Sequence, residues 1–391
     1  METLELSVKS PKTVLALGPE SAGNFTVFRK GRLYFSKNFG DLLEKDCFDE
    51  YVRELEFFLK KERIKPDVIL CDSHPLFETT KLAHEMAGKY QAEIFQVQHH
   101  LAHIFSAVGE QAIIEPTNYN LKPKTFLGVA CDGTGLGTDG EIWGGEIFRI
   151  QESGVRNQES GKCKITRIGH LENQLLLGGE MAIREPARML ISILGKFLPK
   201  EEVFLQIKKY YSQNEFELLW NQCRQNFNCL ETSSTGRVLD AVSILLGFVG
   251  NKRGYKHEAI DLLEKNSTKP YADLKPKIGT SKSAIGHRSS VILNTTYLFE
   301  YLIKNINKDK RRLAATAQLY IAEGLCEIIQ NLEPKTQNLK PTYFAGGVAN
   351  NRIISSYLES RGVYVSKKIP RGDAGISFGQ VLYYLLANPR D

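Results

Sequence analysis

The sequence predicts an α/β protein of two lobes, each a βββαβα unit, closing around one cleft. Three observations predict it. Thr13-Val14-Leu15-Ala16-Leu17-Gly18 and Phe126-Leu127-Gly128-Val129-Ala130-Cys131-Asp132 are short apolar runs, each followed by a glycine turn and a hairpin, so one opening occurs twice, at 13–36 and 125–150. Apolar strands then alternate with stretches of helical periodicity. Finally, 391 residues, 42% hydrophobic and 25% charged, are enough for two cores.

Residues 1–11 are polar and are expected to be loose. Phe25–Phe28 and Leu33–Phe35 flank Lys30-Gly31 and pair as a hairpin onto the first strand. Phe48, Val52, Leu55, Phe58 and Leu59 fall at helical spacing within 46–63, and Pro66 closes that helix. Val68–Asp72 is a second buried strand, 76–90 a helix and Glu93–Val97 a third strand. The lobe boundary falls in Glu115–Lys124, which holds Pro116 and Pro123, dividing the chain into 1–120 and 121–391. After the second hairpin, 180–250 and 294–333 read as helical insertions. The chain closes with strand 342–345, a helix to about 359, strand 363–365 and a last helix. This duplicated plan is that of the actin-like (ASKHA) ATPase superfamily, an analogy of fold that says nothing about reaction.

Composition excludes several classes. No apolar run approaches the ~18 residues of a membrane span, and Met1 leads into Glu2, Glu5 and Lys9 without an apolar export segment. The seven cysteines are odd in number, scattered and free of any Cys-x-x-Cys pair, so they read as free thiols of a cytoplasmic protein. A net charge of +6 permits an RNA partner without pointing to one. The strongest basic cluster, Lys308 to Arg312, reads as a solvated face.

The chemistry concentrates around Val97-Gln98-His99-His100-Leu101-Ala102-His103-Ile104, which holds three of the eight histidines. On a helix, His99 and His103 share a face one turn apart and could hold one metal ion with a third ligand from elsewhere, while His100 points about 100° away. The plainer alternative is a half-buried helix with hydrogen-bonded histidines. Gly133-Thr134-Gly135, after Asp132, suits a phosphate cradle or a tight hairpin turn. Gly346-Gly347, ahead of Asn351, suits a phosphate or ribose at a helix start or a plain turn. Asp373 precedes the last helix as an N-cap, or as a third ligand completing a set that suits Fe(II), with Zn(II) second; Asp132 could ligate too. Glu180 to Arg188 could clamp a substrate or form a solvated helix start, and Gly236-Arg237 with Asp240 could reach a ribose or cap a helix.

Together these stretches resemble the C-terminal carbamoyltransferase region of the hydrogenase maturation factor HypF, itself related to the TsaD tRNA threonylcarbamoyl transferases. The resemblance runs from about Thr13 to the final helix through Cys71-Asp72-Ser73-His74-Pro75, Gln98–His103, Asp132–Gly135, Trp143–Glu146, Arg184-Glu185-Pro186, Gly236-Arg237, Gly346–Val348 and Gly372–Gly375. It implies that lobe 1–120 carries the metal helix and lobe 121–391 binds nucleotide (AMP, ATP or carbamoyl-adenylate). It implies metal ligation by His99, His103, Asp373 and Asp132, and cofactor binding by Gly133, Thr134, Gly135, Gly178, Gly179, Gly236, Asp240, Gly346, Gly347 and Asn351. The reaction implied moves a carbamoyl group from carbamoyl-adenylate to the C-terminal cysteine of a HypE-like partner.

Two departures qualify this. HypF-type chains carry acylphosphatase-like, zinc-segment and YrdC-like adenylating domains ahead of this region. Here the expectation is a separate YrdC-like supplier, a fragment of a longer chain, or a changed job. Tyr255-Lys256-His257-Glu258-Ala259 stands where the family usually has Tyr-Glu-Gly-Gln-Ala. Two alternatives therefore remain: carbamoyl or threonylcarbamoyl transfer to tRNA or a small hydroxyl acceptor, and a non-catalytic nucleotide-binding scaffold.

Overall fold

The computed structural model describes residues 1–6, 8, 10–114, 125–152, 163–282, 289–331 and 340–387. The boundary expected within 115–124 lies outside the described residues. The first sheet contains β1 (Glu2–Glu5), β2 (Val14–Ala16), β3 (Thr26–Arg29), β4 (Arg32–Phe35), β5 (Val68–Asp72) and β6 (Glu93–Val97), ordered β1-β4-β3-β2-β5-β6. β2, β3 and β4 are antiparallel, and β5 and β6 run parallel to β2. Helices α1 (Lys45–Lys61) and α2 (Glu78–Tyr90) make the crossovers into β5 and β6, and α3 (His99–Ile114) leaves β6. Every residue of β5 is buried, as expected of a parallel strand covered on both faces. The amino terminus differs from the loose segment expected. β1 pairs antiparallel with β4, Leu4 opposite Leu33. An edge strand is held by backbone bonds, so a mostly exposed one leaves little apolar pattern to read.

The second sheet contains β7 (Thr125–Cys131), β8 (Gly145–Glu152) and β9 (Cys163–Leu171). β10 (Gln174–Leu177) and β11 (Cys229–Thr232) pair separately as a two-stranded sheet. The second sheet is completed by β12 (Ile278–Lys282), β13 (Ser289–Leu293), β14 (Thr342–Ala345) and β15 (Tyr364–Val365), in the order β12-β13-β9-β8-β7-β14-β15. The last five strands of that order, β9-β8-β7-β14-β15, repeat the first sheet's arrangement: third, second, first, fourth, fifth, the last two parallel to the first. The predicted duplication is therefore present, with insertions in the second copy. These include α4 (Met181–Arg184), α5 (Ala187–Leu194), α6 (Lys200–Ile207), α7 (Gln213–Arg224), α8 (Thr235–Leu246), α9 (Glu258–Lys265) and α10 (Thr295–Lys304). The capping box Ser212/Glu215 starts α7, and the Ser234 hydroxyl caps α8 by accepting from Arg237 N. α11 (Lys310–Asn331), α12 (Arg352–Ser360) and α13 (Ile376–Ala387) complete the chain.

One core lies under the second sheet and the helical insertions, and another lies between the first sheet and α1 and α2. A third joins the two sheets through α3 and α13, which occupy equivalent places after the fifth strand of each repeat. These helices cross where Gly379 meets Ala102; a Cβ on Gly379 would stand 1.8 Å from the Ala102 carbonyl oxygen. Glycine there permits an approach that no side chain would. Among the described residues, no helix is long and apolar enough to cross a membrane. All seven cysteines are free.

Candidate metal centre and nucleotide cleft

The start of α3 sets the site. His99 and His103 lie one turn apart, both buried, with ring centroids 4.8 Å apart. The carboxylates come from strand ends of the other repeat: Asp132 follows β7, and Asp373 follows the loop after β15. Asp132 Oδ2 lies 3.2 Å from His99 Nε2 and 3.1 Å from His103 Nε2. Asp373 Oδ1 lies 3.8 and 3.6 Å from the same nitrogens. One ligand atom from each of the four residues falls within 4.8 Å of the others.

Protonation follows from this crowding. Burial drives the His99 pKa down, but Asp72, Asp132 and Asp373 outweigh it and hold the ring well above its usual value. His103 is raised in the same way, its burial overcome by Asp132 and Asp373. Burial pushes the Asp132 carboxyl up, yet His103 and His99 hold it well below the ordinary carboxylate range. Asp373 is also lowered: burial and Asp132 raise it, while His103, Lys256 and His99 prevail. The two histidines and the two carboxylates thus favour one another's charged forms, a cluster in which one divalent cation could take the place of the imidazole protons. The His99 ring is further oriented by Asp72 Oδ2, 2.7 Å from Nδ1, which leaves Nε2 for the shared point. A carboxylate behind a ligating histidine is the usual support of a metal site. The donor set therefore fits a divalent ion such as Fe(II) or Zn(II). His100 faces elsewhere, its Nδ1 2.9 Å from Gln98 Nε2, beneath Gly135. Burial and the neighbouring His99 lower its pKa well below the usual value.

The same aspartate reaches the glycine turns. Asp132 Oδ1 accepts from Gly133 N at 2.8 Å and Gly347 N at 3.2 Å. Gly346 has φ +100° and packs so closely that a Cβ would stand 2.2 Å from Cys131 O, which requires glycine. A cavity of about 510 Å³ opens here, lined by Asp132, Gly133, Thr134, Gly347, Asn351 and Asp373 together with Arg237, Arg253, Lys256 and His257.

Other residues singled out in the sequence take supporting places. Gly236 abuts Gly133, and Asp240 is buried against Arg237, at 2.9 Å, and Arg253. Asn351 caps α12 and donates to Gln318 Oε1 at 2.7 Å. Gly178 and Gly179 occupy a left-handed turn after β10 and are not among the described residues lining the cleft. Within 180–188, Glu185 is engaged by Arg188 at 2.7 Å and the Tyr211 hydroxyl at 2.9 Å.

Three side chains at the site went unassigned in the sequence. Asp72 was legible in part, because it ends a strand as Asp132 does, and polar site residues gather at strand carboxyl ends. Ser21, in the turn after β2, donates to Asp373 Oδ2. Glu110, buried on α3, accepts from Tyr364 Oη at 2.8 Å and from the amides of Lys367, Lys368 and Ile369, holding the loop that delivers Asp373. Neither carries a local signal.

Residues 128–380 match the family model "Carbamoyltransferase, Kae1-like Domain, second subdomain", and residues 9–110 match "HypF Kae1-like domain". The chain is 36% identical over 403 residues to a probable carbamoyltransferase HypF of Methanocaldococcus jannaschii, covering 99% of this chain and 48% of that one. It is 26% identical over 376 residues to a carbamoyltransferase HypF homolog of Cupriavidus necator, covering 94% and 90%. The crystal structure of T. kodakarensis HypF superposes with a TM-score of 0.82 at 28% identity, covering 98% of this chain and 48% of that one. The chain thus spans about half the length of the Methanocaldococcus relative and of the superposed structure.

Proposed function

The chain belongs to the family of HypF Kae1-like carbamoyltransferase domains, and from that premise we propose that it transfers the carbamoyl group of carbamoyl-adenylate to a protein thiol, the C-terminal cysteine of a HypE-like partner, in nickel–iron hydrogenase maturation. The observation that carries this reading is the double engagement of Asp132. One oxygen faces the two histidines, and the other is bound by the glycine turns that border the cleft.

His99, His103, Asp132 and Asp373 would hold a divalent ion, Fe(II) first and Zn(II) second. Bound there, the ion would supply Lewis-acid polarisation of a carbonyl oxygen. Gly133, Thr134 and Gly347 line the cleft and would bring backbone close to a nucleotide phosphate, Gly135 and Gly346 shape the same turns from behind, and Asn351 lies on the cleft wall. Asp240 acts through Arg237 and Arg253, which it fixes at the cleft edge. In the reaction the acceptor sulfur forms a bond to the carbamoyl carbon while the carbon–oxygen bond to phosphate breaks. AMP leaves with the electron pair, and the thiol proton passes to water. A mixed anhydride is already activated, so orientation and charge stabilisation suffice. Carbamoyl-adenylate would come from a YrdC-like adenylating partner.

The test is an anaerobic, iron-replete transfer assay fed by a YrdC-type enzyme, following the acceptor's intact mass. Carbamoylation of the terminal cysteine that is lost with His99→Ala and Asp373→Ala is the expected result. An unmodified cysteine, with the protein folded, metal-loaded and binding AMP, would sink the thiol-acceptor reading and direct attention to tRNA and hydroxyl acceptors.

A further inference from the structure

The segment ahead of α9 sets Lys256 at the rim of the cleft. Its Nζ lies 3.5 Å from Asp373 Oδ2, with the lysine side chain 51% exposed and the carboxylate 18%. The two oxygens of Asp373 serve different neighbours. Oδ1 faces His99 and His103, whereas Oδ2 faces Lys256 and the Ser21 hydroxyl. The lysine therefore approaches the ligand carboxylate from the side away from the histidines, where the cavity opens.

The other cleft cations are anchored by carboxylate or carbonyl partners, although Arg237 Nε and Arg253 Nε are buried without a hydrogen-bond partner. Arg237 and Arg253 both pair with Asp240, and Arg253 Nη1 also donates to the Lys256 carbonyl at 2.9 Å. Arg371 donates to the carbonyls of Ser366 and Ala349 at 2.7 and 2.9 Å. Lys256 instead shares a carboxylate that two imidazoles already engage, and it does so on a flexible four-carbon stem. A compact ammonium so placed can turn from Asp373 to an anion in the cavity without breaking a packed contact.

We infer that Lys256 is a specificity-determining cation that recognises the phosphoryl group of a bound nucleotide. It discriminates between a ligand that carries phosphate and the same nucleoside without it. This inference rests on the reading of the cleft as a nucleotide site, and the experiment separates the two.

AMP and adenosine are titrated calorimetrically into the wild-type protein, Lys256→Ala and Lys256→Arg, with thermal melts to verify folding. The expected result is a roughly tenfold weaker AMP affinity for Lys256→Ala, the scale of one partly screened charge contact. Adenosine affinity stays unchanged, and Lys256→Arg recovers most of the loss because it restores the charge. Wild-type binding of AMP with no change in Lys256→Ala, or equal weakening of AMP and adenosine, would overturn the role of Lys256 alone. Wild-type protein that binds neither ligand would overturn the nucleotide reading and this inference with it.

Discussion

The two repeats share a strand order and contribute opposite chemistry. The first supplies the imidazoles, from α3 after its fifth strand; the second supplies the carboxylates, from the turn after its first strand and the loop after its fifth. The exchange is reciprocal at the turns. Ser21, after β2, donates to Asp373 of the second repeat, and Asp132, after β7, faces His99 and His103 of the first. The repeated strand order sets the strand-end loops of the two halves against one another, with the imidazoles on one side and Asp132 and Asp373 on the other. A site assembled this way exists only when both repeats are docked through α3 and α13.

The largest disturbance of that complementarity is removal of one member from either side. His103→Ala from the first repeat and Asp132→Ala from the second should each lower metal affinity by roughly 100-fold or more, read as metal content after dialysis. Similar losses from both sides would sharpen the comparison; metal retained by either variant would break it. Next comes Asp72→Asn, which leaves all four donors in place but weakens the support of His99. It should cost about 10–100-fold in metal affinity without unfolding the protein, measured by competition with a chelator.

The pH response of the metal-free protein should be opposite for the two sides. Raised histidines contribute stability that is fully present below their unfolded pKa, near 6.5, and is lost as pH climbs through their folded values. The depressed Asp132 and Asp373 contribute above their unfolded value of 3.8, and that share is lost as pH falls through their folded values. Melting temperature of the metal-free form should therefore be highest between these limits, whereas metal affinity should rise with pH as protons leave the histidines. A melting temperature that climbs steadily above neutrality would contradict the assignment. The smallest effect is expected from Ser21→Ala, which removes one hydroxyl donor from Asp373. A loss of about 1 kcal/mol, seen as a few-fold weaker metal binding, would reflect the first repeat's turn acting across the cleft.

Much of the site was legible because part of it is local. The four-residue spacing of His99 and His103 fixes a shared helix face wherever the helix lies. Asp132 and Asp373 could be named as ligands from the sequence, but each also read as a turn acceptor or a cap, and the resemblance to HypF-type chains was needed to prefer ligation. Asp72 was legible only in part, and Ser21 and Glu110 stayed hidden, because their partners lie 27, 352 and 257 residues away. Such pairs leave no periodicity. β1 escaped for a related reason, since its bonds to β4 use backbone that every sequence possesses.

From its amino acids alone the chain determined the alternation of strands and helices, the repeated opening, the glycine turns and the two-histidine face. These follow from side-chain size, backbone freedom and spacing within a few residues. Tertiary structure decided which carboxylates meet those histidines, that Asp132 faces both the histidines and the glycine turns, and that Lys256 stands beside Asp373. Those outcomes depend on how closely α3 and α13 approach at Gly379 and Ala102, a contact between residues that no local pattern brings together.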